Sequence, residues 1–282
     1  MWRAFAIALD AFHRFLKDDG WAIASHIALS ILMAMFPFLI VVTALAAFLG
    51  STDLADAVAN LLLDTWPKEV AEPVGREVQR VLTTARGDVL TLGAVFALYF
   101  ASSGVESLRI GLNRAYGAVE TRNWLLLRLE SIAYVLVGAV ALLALALLVV
   151  LGPVLFTTVL SHLPWIEPLQ ATFTLWRYVV ATIAIVVALV VAHTWLPAGR
   201  RRFREIAPGV MVTLVMWLVG GYLFGRYLAD YALTYRTYYA GLATAMIALV
   251  FLYLTALIFM YGGELNSAIN RARHARRRPE SS

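Results

Sequence analysis

The chain has 282 residues, 61% of them hydrophobic and 15% charged, with a mean hydropathy of +0.77; soluble domains run nearer ~45–50% apolar and ~25% charged, which excludes an ordinary soluble fold. Lys+Arg 23 against Asp+Glu 18 gives a formal charge of +5, and in so apolar a chain the placement of that excess reports topology before it reports a ligand. With Cys 0, disulfide frameworks, thiolate metal sites, iron–sulfur clusters and cysteine nucleophiles are all excluded.

The first residues, 1–20, read as an amphipathic helix lying on the cytoplasmic leaflet. Phe5, Leu9, Phe12, Phe15 and Leu16 recur at helical spacing, with Arg3, Asp10, Arg14 and Lys17 between them. Charge throughout this stretch leaves no apolar signal-peptide core. Six uncharged apolar runs follow, at 21–49, 89–105, 131–152, 178–196, 209–225 and 240–263. Each approaches the ~20 residues that cross ~30 Å of hydrocarbon. The first is the longest, and Pro37 in its interior is expected to bend it.

Between the first two runs, 51–88 carries two apolar stripes, Leu54, Val58, Leu61, Leu62 and then Val70, Val74, Val78, Val81, Leu82, separated at Trp66-Pro67. This is the pattern of a helical hairpin capping the periplasmic face. The expected fold is therefore all-α: a polytopic membrane protein with six transmembrane helices in 21–266, an interfacial helix in 1–20, a helical periplasmic cap at 51–88 and a basic tail at 267–282, loose from Arg271 onward. Six spans put both termini on one side. That side holds 16 of the 23 basic residues, so the positive-inside rule makes it cytoplasmic. With acidic residues divided evenly, the net charge is +7 inside and −2 outside.

The order of motifs carries a resemblance. The second span and its exit read Tyr99-Phe100-Ala101-Ser102-Ser103-Gly104-Val105-Glu106-Ser107-Leu108-Arg109, then Leu112-Asn113-Arg114-Ala115-Tyr116-Gly117. Leu196-Pro197-Ala198-Gly199-Arg200 follows the fourth span, Pro208-Gly209 opens the fifth, and Tyr239-Ala240-Gly241-Leu242-Ala243 and Tyr261-Gly262-Gly263-Glu264-Leu265-Asn266 mark the sixth. Over most of its length the chain resembles the YihY/BrkB family of bacterial inner-membrane proteins, some long labelled ribonuclease BN. The resemblance implies a multi-pass protein of the bacterial inner membrane. His26 departs from the family's usual small, hydroxyl or Tyr residues at that place.

The ribonuclease label finds no support in the residues. Metal-assisted hydrolysis needs clustered His, Asp and Glu, whereas none of His13, His26, His162, His193 and His274 lies within four residues of another. Phosphate loops, nucleophile elbows and dinucleotide fingerprints do not occur either. No catalytic residue, metal ligand or cofactor is expected, and the chain reads as a non-enzyme.

The candidate site residues lie at the cytoplasmic helix ends. Glu106 and Arg109, three apart, are within reach of an ion pair, and Asn113 and Arg114 continue the polar edge. Glu264 and Asn266 close the sixth span at a similar depth. If these ends meet, a carboxylate, a guanidinium and amides converge at the inner mouth, suited to gating or to an anionic headgroup; the alternative is a structural latch without a ligand. His26 shares a face with Ser30 and reads as a packing histidine, with a gating or proton-relay role as the sharper option. Thr244, Ala248, Thr255 and Gly262 on the sixth span and Gly221 with Gly225 on the fifth are small-residue stripes expected to let helices pack closely.

The runs Arg200-Arg201-Arg202 and Arg276-Arg277-Arg278 adjoin predicted spans without interleaved aromatic residues. Anionic lipid headgroups fit them better than nucleic acid, which is not expected as a partner. A homo-oligomer is left open. The expected function is transporter-like, handling a lipid-like or amphipathic substrate. The alternatives are a non-transporting membrane scaffold that recruits envelope partners and, least favoured, a ribonuclease.

Overall fold

A computed structural model of the chain describes residues 2–48, 87–146, 148, 152, 156, 168–239 and 243–275. The described residues are all-α and form seven helices: α1 Trp2–Lys17, α2 Gly20–Phe48, α3 Gly87–Tyr116, α4 Trp124–Ala146, α5 Gln170–Trp195, α6 Phe203–Tyr239 and α7 Ala243–Ala275. Five of them, α3 to α7, are long and apolar enough to cross a membrane. The first expected span is the 29-residue α2, which Pro37 does not end and which contributes the shorter apolar stretch Gly20–Met35 among the described residues. In α4 and α5 only 6% of the apolar window is buried within the chain. So bare an apolar surface requires hydrocarbon around it rather than water.

The helices run past the apolar stretches because polar residues at their ends find partners. Thus α7 does not give way to a loose tail at Arg271 but continues to Ala275. Arg271 bonds Asp10 Oδ2 of α1 at 2.8 Å and Ser267 Oγ at 2.7 Å, which fastens these last turns. Most of the expected periplasmic cap (residues 51–86), His162, and Arg276, Arg277 and Arg278 lie outside the described residues.

On α1, Ala11 is buried with Leu265 and Ala268 of α7, flanked by Ile7, Tyr261 and Ile269. Its other apolar face, Phe5, Leu9, Phe12 and Leu16, is exposed. The corner into α2 is tight. Asp19 takes a left-handed φ of 57°, and a Cβ on Gly20 would strike the Phe15 ring. That ring meets Trp21 edge-on at 5.4 Å.

Two crossings set the bundle. Along α3, Gly104 faces Ser30 and Ile31 of α2, and a Cβ on Gly111 would strike Met260 of α7 and touch Ile23 of α2, so side chains of both neighbours pack directly onto the α3 backbone. Ile27, Leu112, Val210, Phe259 and Met260 belong to the buried core around it. At the α6–α7 crossing, a Cβ on Gly209 would strike the Gly262 carbonyl oxygen and the Asn266 carboxamide. By contrast, Gly221 and Gly225 have nothing within 4 Å of an added Cβ among the described residues. The expected seam on that face of α6 is corrected: Gly220 is the glycine turned toward α7, where an added Cβ would lie 3.4 Å from Ile258.

This difference predicts opposite outcomes for equal substitutions. Gly209→Ala forces the crossing apart and lowers stability by ~1–3 kcal/mol, seen as a fall in Tm in detergent. Gly221→Ala and Gly225→Ala stay within ~0.5 kcal/mol of the native chain or rise slightly.

Candidate functional site

The polar residues gather at one end of the bundle, where α1, the α3–α4 turn, the α5–α6 turn and the last turns of α7 come together. Its centre is a gap in the backbone hydrogen bonding near the start of α6. Pro208 has no N–H to give Arg204 O, the carbonyl four residues earlier. From α7, Arg273 Nη1 supplies that carbonyl at 3.0 Å and Asn270 Nδ2 supplies Glu205 O at 3.1 Å, while Gly209 N–H donates to Asn266 Oδ1 at 2.6 Å. Asn266, Asn270 and Arg273 are spaced i, i+4, i+7, so a single face of α7 closes the opened turn of α6.

Asn266 then ties in α3 and α5. Its Nδ2 donates to Tyr116 Oη at 3.2 Å, and that hydroxyl lies 2.9 Å from His193 Nδ1. The His193 ring is fully buried and packs on Phe259 at 4.8 Å. Arg201 covers the other side of Tyr116, 3.9 Å from the ring centroid, and bonds Ala198 O at 3.1 Å. Within the run expected to meet lipid headgroups, Arg201 is thus turned inward, whereas Arg200 and Arg202 are exposed.

A second lattice joins α3 to α4 and the turn between them. Arg109 is 2% exposed and donates to Leu127 O at 3.2 Å, Ser131 Oγ at 3.0 Å and Glu130 Oε2 at 3.4 Å. Glu130 also takes Arg122 at 3.0 Å, and Arg122 grips both oxygens of Glu120 at 2.8 Å while bonding Leu196 O at 3.0 Å. Asn113 finishes the chain of contacts, giving Nδ2–H to Glu120 at 3.1 Å and accepting Ala198 N–H at 2.6 Å. A buried guanidinium is tolerable only when its charge is answered in this way.

The expected Glu106–Arg109 ion pair is not formed. Glu106 pairs instead with Arg128 at 2.7 Å, whose guanidinium lies over the Tyr99 ring, and Arg109 turns to α4. Along a helix a three-residue spacing only permits a pair; the cross-helix partners offer shorter, better-aligned contacts. The two helix ends do meet, through Tyr116 and Asn266. Glu264 stands apart from Arg109: it is 2% exposed at the α1–α7 junction, near Asp18, Arg14 and Arg271, and its Oε2 has no hydrogen-bond partner among the described residues.

His26 and Arg114 belong to a third feature, an open groove of about 320 Å³. One wall is Asp19, Ala22, Ile23 and His26, spaced i, i+3, i+4, i+7 at the start of α2; the other is Ser107, Ile110 and Arg114, spaced i, i+3, i+7 on α3. Two helical ridges therefore face each other. At one end Arg114 Nη1 bonds Asp19 Oδ2 at 3.1 Å and Asp18 O at 3.3 Å. Further along the groove, His26 Nδ1 lies 2.5 Å from Ser107 Oγ, with Ser30 Oγ at 3.5 Å. Asp19, Ser107, Tyr116, Glu120, Glu130 and His193 were not singled out as site residues from sequence. Ser107 and His26 are 81 positions apart, and no single-helix pattern relates them.

The turn lattice has a pH signature. The Arg122 guanidinium, with help from its backbone N–H and from Asn113, holds the Glu120 carboxyl at about 2, well below its ordinary 4.5. The lowered folded value stabilises the chain fully above pH 4.5, and this contribution is lost as pH falls from 4.5 toward 2. Unfolding in detergent followed across that window should show acid destabilisation that is shallower in Glu120→Gln. Parallel pH profiles for the two proteins would contradict the assignment.

A family model described as virulence factor BrkB matches residues 11–282. The ribonuclease-like protein YfkH of Bacillus subtilis (strain 168) is 23% identical over 262 residues, covering 93% of this chain and 94% of the relative. UPF0761 membrane proteins of Xanthomonas campestris pv. campestris (strain 8004) and Legionella pneumophila (strain Corby) are each 24% identical over 273 residues. The match covers 93% of this chain but only 60% and 61% of those two relatives. No solved structure matches the chain. With a family model spanning nearly its whole length and helices built to cross a membrane, the chain belongs to the BrkB (UPF0761) family of multi-pass membrane proteins.

Proposed function

We propose that this protein is a transporter-like component of the bacterial inner membrane that handles a lipid-like or amphipathic substrate, with both termini in the cytoplasm. The observation that carries the reading is the α2–α3 groove, which places a charged pair at one end, a histidine and a serine further along, and the apolar side chains of Ala22, Ile23 and Ile110 between them. A groove graded from ionic to apolar suits a molecule that is itself ionic at one end.

The bundle's polar end is the cytoplasmic one in this reading, since 16 of 23 basic residues fall on that side of the spans. The exposed Phe5, Leu9, Phe12 and Leu16 of α1 then rest in the inner leaflet, and exposed Arg200 and Arg202 face its anionic headgroups. No catalytic step, cofactor or nucleic acid enters the scheme. His26 and His193 serve separate hydrogen-bonded networks, which suits packing and binding roles better than a shared metal.

Reconstitution tests this. Vesicles containing the folded protein should move fluorescent phospholipids between leaflets faster than protein-free vesicles. Unchanged rates across a broad panel of lipids and amphipathic solutes would overturn the transporter reading.

A further inference from the structure

We propose that the α2–α3 groove recognises a glycerophospholipid with a zwitterionic headgroup bearing a primary ammonium, the phosphoethanolamine class. The proposal rests on the preceding reading only in taking the groove to face the bilayer. Its own basis is charge complementarity. The groove mouth carries one cation and one anion, Arg114 and Asp19, and their side chains remain 48% and 70% exposed although they pair at 3.1 Å. A guanidinium has five N–H donors and a carboxylate about four acceptor positions. The two contacts of Arg114 Nη1, to Asp18 O and Asp19 Oδ2, leave its Nη2 and Nε without a partner among the described residues, and Asp19 Oδ1 is equally open.

A headgroup with a phosphate and an ammonium matches such a mouth charge for charge, the phosphate on Arg114 and the ammonium on Asp19. A headgroup that is only anionic would set its phosphate against the Asp19 carboxylate. A trimethylated ammonium has no N–H to donate to it. The corner fixes the backbone that carries this carboxylate, with Asp19 at φ 57° between α1 and α2 and Gly20 packed under the Phe15 ring.

The rest of the groove fits the remainder of such a lipid. His26 is seven residues beyond Asp19, a helical rise of ~10 Å, and its exposed ring is anchored through Nδ1 by Ser107. Its Nε2 is therefore the ring atom left to meet the ester region below a phosphate. Ala22, Ile23 and Ile110 line the path, and Trp21, exposed and held against Phe15, adds the kind of aromatic ring that favours the headgroup level.

The test is native mass spectrometry of the full-length protein in detergent, titrated with phosphatidylethanolamine, phosphatidylglycerol and phosphatidylcholine. The native chain should retain phosphatidylethanolamine roughly tenfold better than the other two, the effect of about one charge-assisted hydrogen bond. Arg114→Gln should lose that retention. Asp19→Asn keeps a residue that tolerates the left-handed backbone, and should bring the ethanolamine-to-glycerol ratio close to one at an unchanged Tm. Should Arg114→Gln fail to fold, the Asp19→Asn ratio still decides. Equal retention of all three lipids by the native chain or an unchanged ratio in Asp19→Asn would each overturn the proposal. Selective binding without transbilayer movement would leave it standing and overturn the transporter reading, whereas movement without headgroup selectivity would do the reverse.

Discussion

One missing hydrogen organises the polar end of this protein. Pro208 cannot donate to Arg204 O, and at this end of α6 the freed carbonyls take their donors from a neighbouring helix. The donors come from one face of α7, through Asn270 and Arg273, while Asn266 takes the N–H of Gly209. The partners must come within hydrogen-bond distance, so the crossing must be close, and glycines at 209 and 262 make it close. The third donor on that face, Asn266 Nδ2, reaches Tyr116 and through it His193, so four helices are registered by one repaired turn.

The second lattice is anchored to the same end. Arg122 and Asn113 bond the α5–α6 turn through Leu196 O and Ala198 N–H. Arg109, Glu130, Arg122 and Glu120 alternate in sign along one connected path. Exposed ion pairs contribute little to stability, but removing a partner from the nearly buried Arg109 would strand a charge, so this path fixes the α3–α4 geometry strongly. What these two networks leave outside themselves is the α2–α3 groove, where the Arg114–Asp19 pair stays open to a ligand.

The five long spans and their approximate places were legible from apolar run length, because the bilayer imposes one length scale on every span, whereas α1 was legible from its amphipathic spacing. Helix ends were less so: α7 outlasts its apolar run by virtue of Asn270, Arg271 and Arg273, whose partners sit on α1 and α6. Some of the polar residues at the helix ends were visible in the sequence, but their pairing was not, and Asp19, Ser107, Tyr116, Glu120, Glu130 and His193 carried no signal of their own. Arg109, Asn113, Glu264, Asn266 and His26 all stand out as polar groups near apolar spans, yet Arg109 bonds Glu130, 21 positions away, and His26 bonds Ser107, 81 positions away. Intrahelical spacing favours nearest neighbours such as Glu106 and Arg109, whereas the cross-helix geometry that decides the pairing is a property of the assembled bundle. Pro208-Gly209 was visible as a motif, but its meaning required α7 beside it.

The central claim is that the locked polar end leaves one lipid-facing groove between α2 and α3. The chain has Cys 0, so a single cysteine at Ile110, which is 49% exposed on the groove wall, can carry a nitroxide label without background. Collisional relaxation of that label in phospholipid vesicles measures its surroundings directly. Greater accessibility to oxygen than to a water-soluble nickel chelate is the predicted result, and dominant nickel accessibility or protection from both reagents would contradict the account.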